Sequence, residues 1–230
     1  MRISSRDTSS GFPAKGRHLN VSRRPVLLYN GVMRYVSQLD YADISFPTRT
    51  DHPEDPRGPV TTVKTSGCGL CCAVMVADIL LPDNTFDVPD AVALALECGA
   101  NHNVGTDMML FYKPFCDKLG LTGVVGNDID DVLSCLRTGG CVIANVAVRD
   151  GYEAAFTKGS HYIVVFSETY DGRFAVLDPS RFKPGKLDNA VESGRVETDG
   201  KIVYCTHQVL DEDATARYPH KFFLFWRKNG

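Results

Sequence analysis

Four polar side chains have types and neighbours that could support nucleophilic chemistry: Cys68, His161, Asp178 and Gln38. A thiolate can attack a carbonyl carbon, and an imidazole can carry the protons that this attack displaces. A carboxylate can orient the imidazole, and a side-chain amide can donate to the oxyanion that forms. What these residues can do together depends on the elements that hold them.

Cys68 stands at the predicted start of a buried helix. The segment from Leu70 to Leu81 is almost continuously apolar, and Ser66 can cap its start. Unpaired N–H groups and the positive end of the helix dipole favour a thiolate at this position. Gly67 and Gly69 are expected to leave room for a substrate backbone beside the sulfur. The alternative is that Cys68 is simply a packed thiol.

His161 opens a β-branched and aromatic run, residues 161–169, which predicts a strand. A histidine at the first residue of a strand can face a cleft while the strand fixes its backbone, as a general base requires. Asp171–Gly172 predicts a hairpin that returns Arg173 to Leu177 alongside, so that Asp178 could reach the imidazole. A half-exposed histidine at a strand end and a plain Asp–Pro turn are the structural alternatives.

Elsewhere the pattern places helices first and strands afterwards. Further helices are predicted over Pro89 to Glu97, Thr106 to Leu119 and Asp128 to Arg137. Pro114 is expected to kink or divide the second of these. Further strands are predicted over Cys141 to Val148, Lys201 to Thr206 and Phe222 to Trp226. This order predicts an α+β fold in which N-terminal helices, including that of Cys68, pack on an antiparallel sheet.

The length of 230 residues predicts a single domain. Residues 1–24 are polar and basic without apolar periodicity, so we expect a flexible segment there and the domain over 25–230. Pro25 to Gly31 predicts a short strand, and Pro47 to Pro59 predicts a long surface loop. Asp211 to Asp213 is expected to form a solvated turn.

Composition narrows the classes of partner. A formal net charge of −3 gives no sign of a polyanion-binding surface, so nucleic acid is not an expected partner. No apolar run approaches the roughly 18 to 20 residues that span a bilayer, so no membrane partner is expected either. Met1 to Asn20 lacks the apolar core of a secretory signal. The eight cysteines lie mostly in apolar stretches, which indicates reduced thiols and favours a cytoplasmic location.

Taken in order, these residues and the segments around them resemble a known family. The matching segments are Tyr35 to Asp40, Ser66 to Met75, Gly105–Thr106, Asp131 to Gly140, Thr157 to Val165 and Val176 to Pro179. The chain resembles the peptidases that trim double-glycine leaders from bacteriocin precursors, which are family 39 of the cysteine peptidases (C39). It is more similar to their standalone relatives, and the resemblance covers residues 33–182.

The resemblance implies a papain-like fold and a role for each candidate residue. Cys68 would be the nucleophile, His161 its base, Asp178 the residue that orients the histidine, and Gln38 part of the oxyanion hole. The implied reaction is cleavage of an amide or peptide bond in a peptide or protein substrate, and it needs no cofactor. An acyl or peptidyl transferase would use the same groups, with an amine or a thiol in place of water. A binding module could also keep the fold without the activity.

The sequence departs from the family pattern at two places. Ser160 stands where relatives often have glycine before the histidine, and Leu70–Cys71 stand where many standalone relatives have Pro–Thr. Neither change removes a reactive group. Because no transporter segment follows, the leader substrate is not carried over to this chain.

The neighbouring cysteines leave three other interpretations open. Cys68–Gly69–Leu70–Cys71 also resembles the papain-type motif in which the second cysteine attacks, although Cys71 would lie almost a turn farther from the positive helix end. A zinc site, which we rank last, would need a second pair of ligands, and no other Cys or His pair has the usual spacing. A redox role for the same motif lacks the surrounding βαβ unit.

Overall fold

The computed structural model describes residues 34–228 of the chain. The flexible segment predicted over 1–24 and the strand predicted over 25–31 lie outside these residues, so both stay predictions. Among the described residues, no helix combines the length and the apolar character needed to cross a membrane.

A seven-stranded sheet forms the centre of the described part of the chain. Its strands are β1 (Leu121–Gly126), β2 (Cys141–Ala147), β3 (Ser160–Glu168), β4 (Phe174–Leu177), β5 (Val196–Asp199), β6 (Ile202–Cys205) and β7 (Phe222–Arg227). In space they follow the order β1–β7–β2–β3–β4–β6–β5, and every neighbouring pair is antiparallel. The predicted hairpin joins β3 to β4, with Gly172 at a φ of 75° that favours glycine.

Helices cover both faces of this sheet. Within residues 34–228 they are α1 (Val63–Ser66), α2 (Cys68–Leu80), α3 (Val88–Glu97), α4 (Met108–Leu119), α5 (Ile129–Arg137), α6 (Asp188–Glu192) and α7 (His207–Ala214). Side chains alternate along each strand, so Ile143 and Val164 pack with α2, α3 and α4. Val142 and Ile163 instead pack with α5, α6 and α7 on the opposite face. The predicted α+β fold, with the helix of Cys68 packed on an antiparallel sheet, is confirmed.

Pro114, which was expected to kink or divide its helix, does not divide it. Helix α4 runs unbroken with the proline inside it, from an N-cap at Asp107 to a left-handed Gly120 at a φ of 66°. Phe111 and Phe115 on either side of the proline are fully buried and stack with ring centroids 5.7 Å apart. This packing holds the two halves of α4 together despite the backbone hydrogen bond that a proline cannot make.

The acidic run near the C-terminus is not the solvated turn that we expected. It lies in α7, and Asp213 is completely buried. The carboxylate of Asp213 accepts hydrogen bonds from the backbone N–H groups of Ala155 (3.1 Å) and Phe156 (3.0 Å) and pairs with Arg195 at 3.2 Å. A buried carboxylate needs such partners. Asp213 therefore anchors the loop that leads into β3.

Candidate active site

Cys68 is the first residue of α2. The preceding helical turn, α1, ends at Ser66, and Gly67 both ends that turn and caps α2. The prediction that Ser66 caps the helix is therefore wrong by one residue, because Ser66 already belongs to α1. Cys68 itself is half-buried and lies where the first N–H groups of α2 lack intrahelical acceptors.

The glycines that flank Cys68 serve the protein's own packing and do not leave the open space that we expected. A Cβ atom at Gly67 would lie 2.6 Å from Cγ1 of Val63, and one at Gly69 would lie 2.9 Å from Cβ of Thr106. Real Cβ atoms do not approach other carbon atoms this closely. Both glycines thus hold the start of α2 tightly against its neighbours, and this fixes the position of Cys68.

The antiparallel pairing of β3 with β4 brings His161 and Asp178 together. Val164 pairs with Leu177, so the residue that follows β4 comes level with Ile163, two residues from His161 along β3. Nε2 of His161 lies 2.7 Å from Oδ1 of Asp178, and both side chains are buried. Burial alone would raise the pKa of Asp178, but the neighbouring His161 and a lysine (described below) hold that pKa well below its usual range.

The thiol of Cys68 interacts with the ring of His161. Burial raises the pKa of Cys68, but a hydrogen bond with His161, the charge of that ring and the backbone N–H of Tyr162 lower it by more. Burial lowers the pKa of His161, but Asp178 and Cys68 raise it by more. The pKa of the thiol is thus lowered and that of the imidazole raised. Both changes favour a thiolate beside an imidazolium.

The other seven cysteines differ from Cys68 in this respect. All eight lie in the described part of the chain, and none of them forms a disulfide. Burial raises the pKa of each of the others: Cys71, Cys72, Cys98, Cys116, Cys135, Cys141 and Cys205. Cys71 and Cys72 are fully buried. The alternative in which Cys71 is the reactive thiol therefore has no support from the geometry.

Gln38 opens a short 3-10 turn (Gln38–Asp40) that lies in space between the end of β4 and α1. Its backbone N–H donates to the carbonyl of Pro179 at 2.8 Å, and its side-chain Nε2 donates to the carbonyl of Lys64 at 2.8 Å. A side-chain amide has two N–H donors, so this contact leaves the second one to reach another acceptor. The structure therefore brings Gln38 beside both the residue after Asp178 and the turn before Cys68.

Two further polar residues surround Asp178, and sequence reasoning missed both. The backbone N–H of Ser180 donates to Oδ1 of Asp178 at 2.8 Å, and its hydroxyl lies 3.2 Å from Nε2 of His161. Nζ of Lys186 lies 2.9 Å from Oδ1 and 2.8 Å from Oδ2 of Asp178, and it also donates to the Ser180 hydroxyl. Lys186 belongs to a loop rich in Lys, Pro and Gly, a composition typical of solvated surface, so the sequence carries no signal of its burial.

No metal site accompanies this group within residues 34–228. No three or more His, Cys, Asp or Glu side chains there are arranged to hold a metal ion. A cavity of about 310 Å³ lies beside Lys186. The loop before β3 lines it on one side, with Thr157 and Lys158, and α6 lines it on another, with Asn189 and Ala190. Neither Cys68 nor His161 lines this cavity, so it adjoins the candidate site without being part of it.

Comparison with known proteins supports the fold that the sequence motifs indicate. No protein-family model and no curated protein sequence matches the chain. Its fold is similar to the crystal structure of a Bacillus anthracis protein named a "putative C39-like peptidase", with a TM-score of 0.52 and 14% sequence identity. The match covers 89% of this chain and 98% of the other. At this identity the likeness shows the fold alone: the chain has a papain-like, C39-like fold, as predicted.

Proposed function

We propose that this protein is a cysteine peptidase-like hydrolase in which Cys68 attacks the carbonyl carbon of an amide or peptide bond. One arrangement carries the proposal: Cys68 opens α2, and α2 packs on β3, which holds the buried His161 near its start. The lowered pKa of Cys68, alone among the eight cysteines, and the raised pKa of His161 agree with this arrangement. Nε2 of that histidine is held by a buried carboxylate at 2.7 Å, which leaves Nδ1 as the nitrogen for proton transfer with the sulfur.

The first half of the reaction would acylate the enzyme. The Cys68 thiolate adds to the carbonyl carbon, and the carbonyl π electrons move to oxygen to form an oxyanion. The imidazolium of His161 then gives its proton to the leaving nitrogen as the C–N bond breaks. The products of this step are the free amine and a thioester on Cys68. Asp178 holds the ring of His161 in one orientation throughout.

The second half would release the acid. Neutral His161 takes a proton from a water molecule, which attacks the thioester carbonyl. The C–S bond breaks, the carboxylic acid leaves, and the Cys68 thiolate and the imidazolium are restored. An acyl transferase would follow the same steps with an amine or a thiol as the second nucleophile, so product analysis separates the two reactions.

The oxyanion would be stabilised by two donors. One is the backbone N–H of Cys68, in the first turn of α2 where it has no intrahelical acceptor. The other is the side-chain amide of Gln38, which the hydrogen bond to the carbonyl of Lys64 holds in place. Preorganised donors of this kind act on the charge that develops in the transition state.

The structural similarity to the C39-like neighbour suggests only the chemical class of the natural substrate. The C39-like neighbour is named a peptidase, and a thiolate–imidazolium pair suits amide bonds, because the leaving amine must receive a proton. We therefore propose a peptide or protein substrate.

Alkylation by iodoacetamide tests the reactive group without knowledge of the substrate. Cys98 is an internal control, because it is half-buried like Cys68 while its pKa is raised. At pH 6 to 7, peptide mapping by mass spectrometry should show Cys68 modified at least about tenfold faster than Cys98. The His161→Ala variant should lose this advantage, and Cys71→Ala should keep it. Equal rates at Cys68 and Cys98 in the unaltered protein would overturn the proposal.

Cleavage itself calls for a peptide library read by mass spectrometry. New termini that arise with the unaltered protein and with Cys71→Ala, but not with Cys68→Ala, are the expected result. A released product that has gained the mass of an added amine, instead of that of water, would identify a transferase. Cleavage that survives in Cys68→Ala would remove Cys68 from the mechanism.

A further inference from the structure

Lys186 carries a charge that this fold has buried next to the proposed catalytic group. Its side chain is 9% exposed, and its partner Asp178 is 0% exposed. Nζ of Lys186 lies within 2.9 Å of both oxygens of Asp178, while Nε2 of His161 lies 2.7 Å from one of them. Taking an ammonium group out of water is costly unless close partners compensate. Asp178 is therefore shared between the ammonium group of Lys186 and the imidazole ring of His161.

Several titratable groups lie close enough to Lys186 to interact electrostatically with its charge. It contacts Asp178, which follows the end of β4, and on the other side of that carboxylate lies His161 of β3. From α2 it faces Cys68 and Cys72. Around the adjoining cavity the charged groups are Glu153, Lys158 and Arg195. Lys186 pairs with Asp178 at 2.8 Å, whereas the carboxylate of Glu153 accepts a hydrogen bond from Asn189 at 3.2 Å and Arg195 pairs with Asp213.

Sharing Asp178 changes the chemistry of the histidine. A buried carboxylate with no other partner would hold His161 as an imidazolium, and a proton held too tightly is released slowly to a leaving group. Lys186 opposes this, because its positive charge lowers the pKa of His161 and also lowers that of Cys68. The thiolate is thus favoured while the imidazolium keeps its ability to act as an acid.

We infer, on the basis of the proposed function, that Lys186 is a positioning residue that shares Asp178 with His161 and sets the pH range over which Cys68 and His161 work. It need not touch the substrate, because it acts through the carboxylate and through its charge.

The variant Lys186→Met removes the charge and keeps most of the side-chain length. If the charge is what matters, the deprotonation of Cys68 and that of His161 should both move to higher pH, each by on the order of one pH unit. If Lys186 only holds Asp178 in place, its loss would release the carboxylate, and the two steps would move towards each other. The His161 step would fall because the imidazolium loses its anion, and the Cys68 step would rise because the thiolate loses its cation. The direction of the His161 step therefore separates the two roles.

Two measurements follow these steps without a substrate. The rate of Cys68 alkylation by iodoacetamide between pH 4 and 10 reports the thiolate, and the NMR shift of the His161 ring in protein labelled with ¹³C-histidine reports the imidazole. The two pKa values belong to the coupled pair, so both curves are fitted together. Lys183→Met is the matched control, because Lys183 is an exposed lysine of the same loop. Lys186→Arg keeps the charge and should restore the original range.

Both steps moving to higher pH in Lys186→Met, with Lys183→Met unchanged, is the expected result. Steps that stay in place, or that converge, would overturn the inference.

Should Lys186→Met not fold, Lys186→Gln removes the charge and keeps a donor for Asp178, and the same comparison applies. If the unaltered Cys68 reacts no faster than Cys98, the proposed function fails; if it reacts faster and Lys186→Met changes nothing, only the role of Lys186 fails.

Discussion

Replacing Asp178 by asparagine should separate the stability of the site from its chemistry. The substitution keeps the size of the side chain and removes its charge. In the unaltered protein the carboxylate accepts hydrogen bonds from His161 at 2.7 Å and from the backbone N–H of Ser180 at 2.8 Å, and it pairs with Lys186 at 2.8 Å. In Asp178→Asn the ammonium of Lys186 stays buried without its anion.

The size of the effect follows from that burial. Removing one partner of a buried ion pair typically destabilises a protein by about 3 to 5 kcal/mol, because the other charge is left uncompensated. For a domain of this size the loss corresponds to a fall of roughly 10 °C in Tm. Removing both charges in Asp178→Asn/Lys186→Met should recover about 2 kcal/mol or more of that loss, since an uncharged pair has no such penalty. Activity should not recover with stability, because His161 still lacks its carboxylate, so kcat should stay below that of the unaltered protein in both variants.

Urea unfolding measures the stability of the two single variants and the double variant. The rate of Cys68 alkylation at pH 6 measures the reactivity of the thiol in the same proteins. Glu197→Gln is the control: Glu197 also pairs with a cation, Arg173, but the two side chains are 67% and 29% exposed and Arg173 keeps Asp171 as a partner, so its loss should cost less than about 1 kcal/mol. Stabilities of Asp178→Asn and Lys186→Met that simply add in the double variant would refute the reasoning, since they would show that the two buried charges do not interact.

Three further predictions follow from single residues. Gln38→Ala should lower kcat by about 10² to 10³ with a smaller change in KM, because an oxyanion donor acts in the transition state; steady-state kinetics on a cleaved peptide checks this, and an effect confined to KM would contradict it. Because the folded pKa of Asp178 is lowered, its contribution to stability is present above the unfolded value of about 4 and is lost as pH falls through the folded pKa. The free energy of unfolding, measured with urea between pH 7 and 3, should therefore fall more in the unaltered protein than in Asp178→Asn. Equal slopes of that free energy against pH in the two proteins would contradict this. Gly67→Ala should destabilise by about 1 to 3 kcal/mol, because its Cβ would lie 2.6 Å from Cγ1 of Val63, and thermal unfolding with Gly159→Ala as the uncrowded control measures it.

Local patterns predicted the central elements well. Helices α2 to α5 and strands β2, β3, β4, β6 and β7 lie within two residues of their predicted ends, because caps, glycine stops and β-branched runs are short-range signals. Strand β1 escaped prediction because two of its six residues are glycines. Its Gly123 is needed for a tertiary reason: a Cβ there would lie 2.6 Å from Sγ of Cys116 on α4. Strand β5 escaped because it is a polar edge strand, which the sheet pairs on one side only.

The candidate site shows where sequence reasoning stops. Cys68, His161, Asp178 and Gln38 each stand at the start or end of an element or in a motif, so their types and positions could be read locally. Lys186 stands in a loop whose composition indicates exposure, and only the meeting of that loop with the end of β4 buries it. The sequence could therefore predict the four candidate groups, but not the buried charge beside them.

This difference has a physical cause. The position of a helix start or a strand end is decided by a few neighbouring residues, whereas a pKa depends on every charge within several ångströms in space, whatever its distance along the chain. In this protein the two charged neighbours of Asp178 come from β3 and from the loop before α6, and the thiol comes from α2. A relative with the same four motif residues and a neutral residue at position 186 would keep the fold and the attacking groups. If Lys186 has the role inferred above, that relative would work in a different pH range, and the motif alone would not determine how such a site behaves.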